Sequence, residues 1–264
     1  MLLLDSFLLA PGLLIATFFG AAVQRIAGMG LGIAISGFTL TNFDPFTAIY
    51  VSSIIGFGVI VITIIQLWRQ IVWSAIWPIF LPMTLTLFLG FHLADVYGQD
   101  PLIHALFQTL GLVAILATLH SYVLRAKASA SQLITRPWVG GSLAGFLAGT
   151  IGLPGPTVVP YFAVRHIVGT AFVATLTPIF IFASLARLSL GTNANFDETT
   201  LSTTLLGAAI AIVGTYMGSL LGPYVSVKVQ RWMIILVITA SGGRLLIALS
   251  EGFWLYYQNA SVIA

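Results

Sequence analysis

The sequence predicts an all-α polytopic membrane protein built as two inverted repeats, each a broken or re-entrant helical hairpin followed by three transmembrane helices. Three observations lead there. The chain of 264 residues is 59% hydrophobic and only 6% charged, with a mean hydropathy of +1.06, whereas a soluble domain carries about 25% charged residues. Apolar runs of about 17 to 25 residues recur along its length, each long enough to cross a hydrocarbon core of about 30 Å. Finally, a shift of about 124 residues superposes one half of the chain on the other. It places Gly28 on Gly152, the Asp44-Pro45 helix start on Val168-Gly169, Gly90 on Gly214 and Gly98 on Gly222.

These observations define a single transmembrane domain, 1–264, with repeat 1 at about 5–124, a cytoplasmic linker at about 125–136 and repeat 2 at about 137–250. Each repeat opens with a segment interrupted by glycine or proline, at about 7–41 and about 138–164. Three clean spans come next, at about 45–67, 72–92 and 101–124 in the first copy and about 169–190, 200–221 and 229–250 in the second. The N-terminal stretch has no Lys or Arg before it and no small-residue cleavage pattern, so it is expected to belong to the fold.

Whether the interrupted segments cross the membrane or turn back is decided by loop charge, because cytoplasmic loops collect Lys and Arg. The basic connections are Arg69, the linker with Arg125, Lys127 and Arg136, the Arg165-His166 turn and the Lys228/Arg231 turn. The others carry Asp5, Asp44, Asp95, Asp100, Asp197-Glu198 and Glu251. Two full crossings would put Arg165, Lys228 and Arg231 outside and the Asp197-Glu198 pair inside. Two hairpins put every basic connection in the cytoplasm and both termini outside. Each repeat then has an odd number of crossings, so the copies run in opposite directions.

The breaks, Gly28-Met-Gly-Leu-Gly32 and Gly152-Leu-Pro-Gly-Pro156, occupy matching positions. Non-helical backbone inside a bilayer is tolerated only where protein buries it or a polar cavity receives it. A half-helix starting at such a break aims free N–H groups and the positive end of its dipole inward, which suits an anion. Proline in the first turn needs no amide donor, and glycine admits a ligand close to the backbone. The candidate anion-binding residues are therefore Gln24, Arg25, Gly28, Gly30, Gly32, Gly152, Pro154, Gly155, Pro156 and Thr157. Close helix packing is the competing reading of such glycines, and the preferred one for Gly140, Gly141 and Gly145.

No Asp or Glu falls in the middle of a predicted span, which argues against coupling through a buried carboxylate. Arg25, Arg187 and Arg244 do lie within apolar segments, where a charge costs at least about 2.5–3.5 kcal/mol. Arg25, three residues before the first break, is the foremost candidate for an anion contact, against a snorkelling or backbone-capping role. Arg187 and Arg244 sit nearer the outer ends of their spans, where snorkelling is the default and a place on the pathway the alternative. His120, which aligns with Arg244, is a third pathway candidate against a plain structural role. The absence of cysteine excludes disulfides, thiol catalysis and Cys-based metal sites. The chain also lacks HExxH and GxSxG, so no catalytic residue, metal or cofactor is expected. A net charge of +3 is too small and too dispersed to suggest nucleic acid. The expected partners are a small anion and the lipid bilayer, and a homo-oligomer is compatible with the sequence.

Two motifs carry a family resemblance. They are Gly20-x3-Gln24-Arg-Ile-Ala-Gly-Met-Gly-Leu-Gly32, followed by Asp44-Pro45-x2-Ala48, and Gly145-Phe-Leu-Ala-Gly-Thr-Ile-Gly-Leu-Pro-Gly-Pro-Thr-Val-Val-Pro160. With the chain length and the duplicated halves, the sequence resembles the TauE/SafE family of sulfite exporters and toluenesulfonate uptake permeases over nearly its whole length. Where that family usually has a glycine run, this chain has Leu153-Pro154-Gly155-Pro156. The resemblance implies a secondary transporter in a bacterial plasma membrane that moves sulfite, sulfoacetate or other organosulfonates, most often outward. Another small oxyanion or a carboxylate, or passive flux through an anion channel, is the alternative.

Overall fold

The computed structural model describes residues 2–43, 45–97, 100, 103, 105–113, 116, 136–167, 169–190, 197–226, 228–230 and a few positions between 232 and 246. Among the described residues all regular structure is helical. The principal helices are α1 (Leu2–Ala27), α2 (Leu31–Asn42), α3 (Pro45–Leu67), α4 (Trp73–Tyr97), α5 (Pro137–Ile151), α6 (Gly155–Val164), α7 (Gly169–Leu190) and α8 (Glu198–Leu221). Among the described residues four stretches, Thr47–Gln70, Trp73–Tyr97, Gly169–Leu190 and Glu198–Tyr224, are long and apolar enough to cross a membrane. The linker residues 125–135, and Arg244 and His120, lie outside the described residues.

The two breaks form for the same local reason. Both α1 and α5 end on a glycine in the left-handed region, Gly28 with φ 85° and Gly152 with φ 76°, a conformation that costs a side chain dearly and glycine little. Gly28 N–H still donates to Gln24 O at 2.8 Å, and Leu153 N–H reaches back to Leu147 O at 3.2 Å, so each break is tied to the helix it leaves. The chain then restarts as the short helices α2 and α6.

After the first break the chain doubles back. A Cβ at Gly20 would meet Ala34 and Leu31, and one at Gly12 would meet Phe38, so α2 lies antiparallel along α1. The longer helices give the rest of the directions. Gly214 and Gly218 of α8 abut Phe18 and Ala22 of α1, in parallel order. Gly141, Gly145 and Gly149 of α5 abut Ile79, Met83 and Leu87 of α4, also in parallel order. Gly58 faces Ile212 and Gly207 faces Ile55, making α3 and α8 parallel. Val72 N–H donates to Thr175 Oγ1 at 3.1 Å and Tyr50 OH to Arg187 O at 2.6 Å, making α3 and α7 antiparallel.

These directions leave one arrangement. Because α1 and α3 both run parallel to α8, α2 between them must be a return. Because α7 starts beside the end of α3, and α5 starts at that same end through its parallel contact with α4, α6 must be a return as well. Each repeat is thus inverted relative to the other, with the opening helix of one copy packed on the second clean span of the other: α1 on α8, α5 on α4. The described basic connections (Arg69, Arg136, Arg165 and Lys228) gather at one end of the molecule, while Asp95, Asp100 and Asp197 lie at the other.

Small residues set the closeness of these pairs. A Cβ at Gly145 would overlap the Met83 carbonyl oxygen, and one at Gly214 the Phe18 carbonyl oxygen; backbone touches backbone, as membrane helices pack where no hydrophobic effect draws them together. Several buried hydroxyls return to their own helices: Ser53, Thr63, Thr177 and Thr215 donate to carbonyls four residues back at 2.7 to 2.8 Å, which removes the cost of a free hydroxyl in an apolar interior.

Candidate functional site

Two hairpins entering from opposite ends bring their tips to one place. Gly30 to Ile33 of the first break and Gly152 to Gly155 of the second line a common cavity of about 60 Å³, room for a few waters or one compact anion. Its walls come from the antiparallel central pair, with Ser52, Gly56 and Ile60 on α3 and Phe180, Ser184 and Arg187 on α7. Both sets recur at helical spacing, so each is one stripe of its helix. Gln24 of α1 completes the wall.

Arg187 is the charge at this site. Only 4% of its surface is exposed, so the side chain does not snorkel to the membrane surface. It is held instead by neutral oxygens. Nε donates to Ala183 O at 2.9 Å, and the two terminal nitrogens donate to Ala148 O at 3.4 Å and to Ser184 Oγ at 3.2 Å. Among the described residues no carboxylate pairs with it. Dipoles solvate a buried cation without neutralising it, so the site keeps a net positive field. A Cβ at Gly152 would stand 3.1 Å from a terminal nitrogen of Arg187; glycine there both turns the chain and leaves room for the guanidinium.

Helix ends add to that field. The first amides of α2 and α6 have no intrahelical acceptor and carry the positive end of each dipole. At α2 one of them is taken: Leu31 N–H donates to Gln24 Oε1 at 3.1 Å. At α6, Pro156 has no N–H to satisfy, and the Thr157 hydroxyl donates backwards to Pro154 O at 3.3 Å.

Several sequence candidates therefore converge and several do not. Gln24, Gly30, Gly32, Gly152, Pro154, Gly155 and Arg187 border the cavity. Gly28 does not; a Cβ there would strike the Phe172 ring at 2.8 Å, so this glycine serves the turn and the packing on α7. Thr157 is likewise not on the cavity wall; the Pro156 side chain, in the first turn of α6, lies outside what the structure describes. Arg25 is also placed elsewhere. Its Nε donates to Gln66 Oε1 at 3.0 Å near the end of α3, away from the cavity and toward the basic end. Gln24 and Arg25 are consecutive, about 100° apart around the helix, and that rotation sends them to different surroundings. Arg244 and His120 lie outside the described residues.

Ser52, Gly56, Phe180 and Ser184 are cavity residues that sequence reasoning misses. The one signal for the α7 set is Ser184 lying three residues before Arg187, on the same helical face. Serine in a membrane helix usually bonds its own backbone, so that signal is faint alone. Among the described residues no cluster of three or more His, Cys, Asp or Glu could hold a metal ion.

Residues 13–245 match the family model described as Sulfite exporter TauE/SafE. Comparison with curated proteins and with solved structures gives no match.

Proposed function

Because the chain belongs to the sulfite exporter TauE/SafE family, a family of membrane transporters and not of enzymes, we propose that its cavity carries sulfite, sulfoacetate or a related organosulfonate outward by alternating access. The observation that carries this reading is the buried Arg187 guanidinium, unneutralised by any described carboxylate, at the point where both broken segments meet. A compact oxyanion supplies the missing charge and accepts hydrogen bonds from the guanidinium and from the first amides of α6. Those groups recognise charge and oxygen geometry; the family supplies sulfur as the central atom.

Alternating access is supported by the crossed packing of inverted repeats around a central site, in which either end can open by tilting one pair of helices against the other. By the positive-inside rule the basic end faces the cytoplasm. The linker at 125–136 is then cytoplasmic, both termini are outside, and the protein resides in a bacterial plasma membrane.

Thermal unfolding of the purified protein with sulfite, sulfoacetate, thiosulfate and acetate tests the proposal. A ligand at a hundred times its Kd adds about 2.7 kcal/mol of stability, so the sulfur oxyanions are expected to raise the melting temperature by several degrees. Stabilisation by carboxylates alone would remove the sulfur reading.

A further inference from the structure

The two hairpin tips are not equivalent at the cavity, and the difference lies in Gln24. Its side-chain oxygen is fixed by the first amide of α2, Leu31 N–H, at 3.1 Å. This settles the orientation of the amide, since the reversed rotamer would set NH2 against N–H. The NH2 group is therefore the free end, and among the described residues it has no acceptor. Gln24 borders the same cavity as Arg187.

We infer that Gln24 is a substrate-contacting, specificity-determining residue whose side-chain NH2 donates to an oxygen of the anion held by Arg187. The inference rests on the transport reading above. In effect the α2 terminus does not meet the anion through Leu31; it polarises the Gln24 carbonyl, which sharpens the donor at the other end of the same amide. The anion thus meets a guanidinium and open helix amides on one side and a neutral, directional donor on the other. That arrangement selects an anion with at least two separated oxygen acceptors over a spherical halide. The buried, unneutralised Arg187 and the unpartnered amide are independent observations, and both residues line one cavity.

Gln24→Glu separates this role from helix capping. A carboxylate of the same shape still accepts from Leu31 N–H, and a negative charge is favoured at a helix N-terminus. The donor is lost, and a negative charge faces the anion in its place. Melting temperature without ligand should therefore be held or raised. The apparent Kd for sulfite, read from the ligand-dependent melting shift, should rise at least about tenfold, the size of one hydrogen bond to a charged group. Sulfite binding unweakened in a folded Gln24→Glu protein overturns the inference. Should that variant not fold, Gln24→Met fills the same volume without an amide and is read identically, unweakened binding again overturning it. Absence of any sulfite shift in the unmodified protein would instead count against the transport reading itself.

Discussion

Arg187 and Arg25 look alike in the sequence, each a lone arginine in an apolar segment, and the fold gives them opposite surroundings. Arg187 is enclosed by Ala183 O, Ala148 O and Ser184 Oγ at the cavity, whereas Arg25 reaches Gln66 at the basic end. Arg187→Gln should abolish the sulfite-dependent melting shift and lower export by at least about tenfold, the worth of a charge-assisted contact. The unliganded protein should not be destabilised, because a buried charge with no ionic partner is removed. Arg25→Gln should leave sulfite binding within about twofold, the size of a distant surface change. Equal losses in both variants would contradict the placement. For either residue the sequence offers only a general rule about charges in membranes, and that rule does not say which way a helix face is turned.

Among the elements, α8 shows how a helix end is secured outside the apolar region. Asp197 caps it by accepting from Thr200 N–H at 2.9 Å. That hydrogen bond from Thr200 holds the carboxyl below its ordinary value. A depressed folded-state pKa means the cap's stabilisation is complete above the unfolded value of about 3.9 and is lost as pH falls through the folded value. Melting temperature should therefore drop on acidification below about pH 4, and Asp197→Asn, which caps without titrating, should lose less across that window. The pair α4/α5 offers a different test. Gly145→Ala would drive a methyl group into the Met83 carbonyl and should cost about 1–3 kcal/mol or more, visible as a lower melting temperature. Gly56→Ala, whose added Cβ meets only Ile60 at 4.0 Å, should leave the melting temperature nearly unchanged. The glycines at the breaks are legible in the sequence because a helix cannot pass smoothly through Gly-Met-Gly-Leu-Gly or Gly-Leu-Pro-Gly-Pro. That Gly28 serves packing on α7 while Gly152 makes room for an arginine is not, since both depend on the side chains another helix brings alongside.

For the whole molecule, helix directions and loop charges describe one object. Antiparallel α3 and α7, with parallel α1/α8 and α4/α5, require two returning segments, and this gathers the described basic turns at one end. Reporter fusions should accordingly read cytoplasmic after Arg165 and external after Asp197; an external signal at Arg165 would contradict the proposed orientation. The all-helical membrane class, the positions of both breaks and the inversion of the repeats are legible along the chain, because apolar run length, glycine conformation and loop charge are local properties. That both breaks open on a single cavity, that Arg187 rather than Arg25 stands there, and that Gln24 takes up the first amide of α2 emerge only from the packed fold. Those facts depend on the rotation of each helix about its axis, which packing with helices more than a hundred residues away sets and no local pattern encodes.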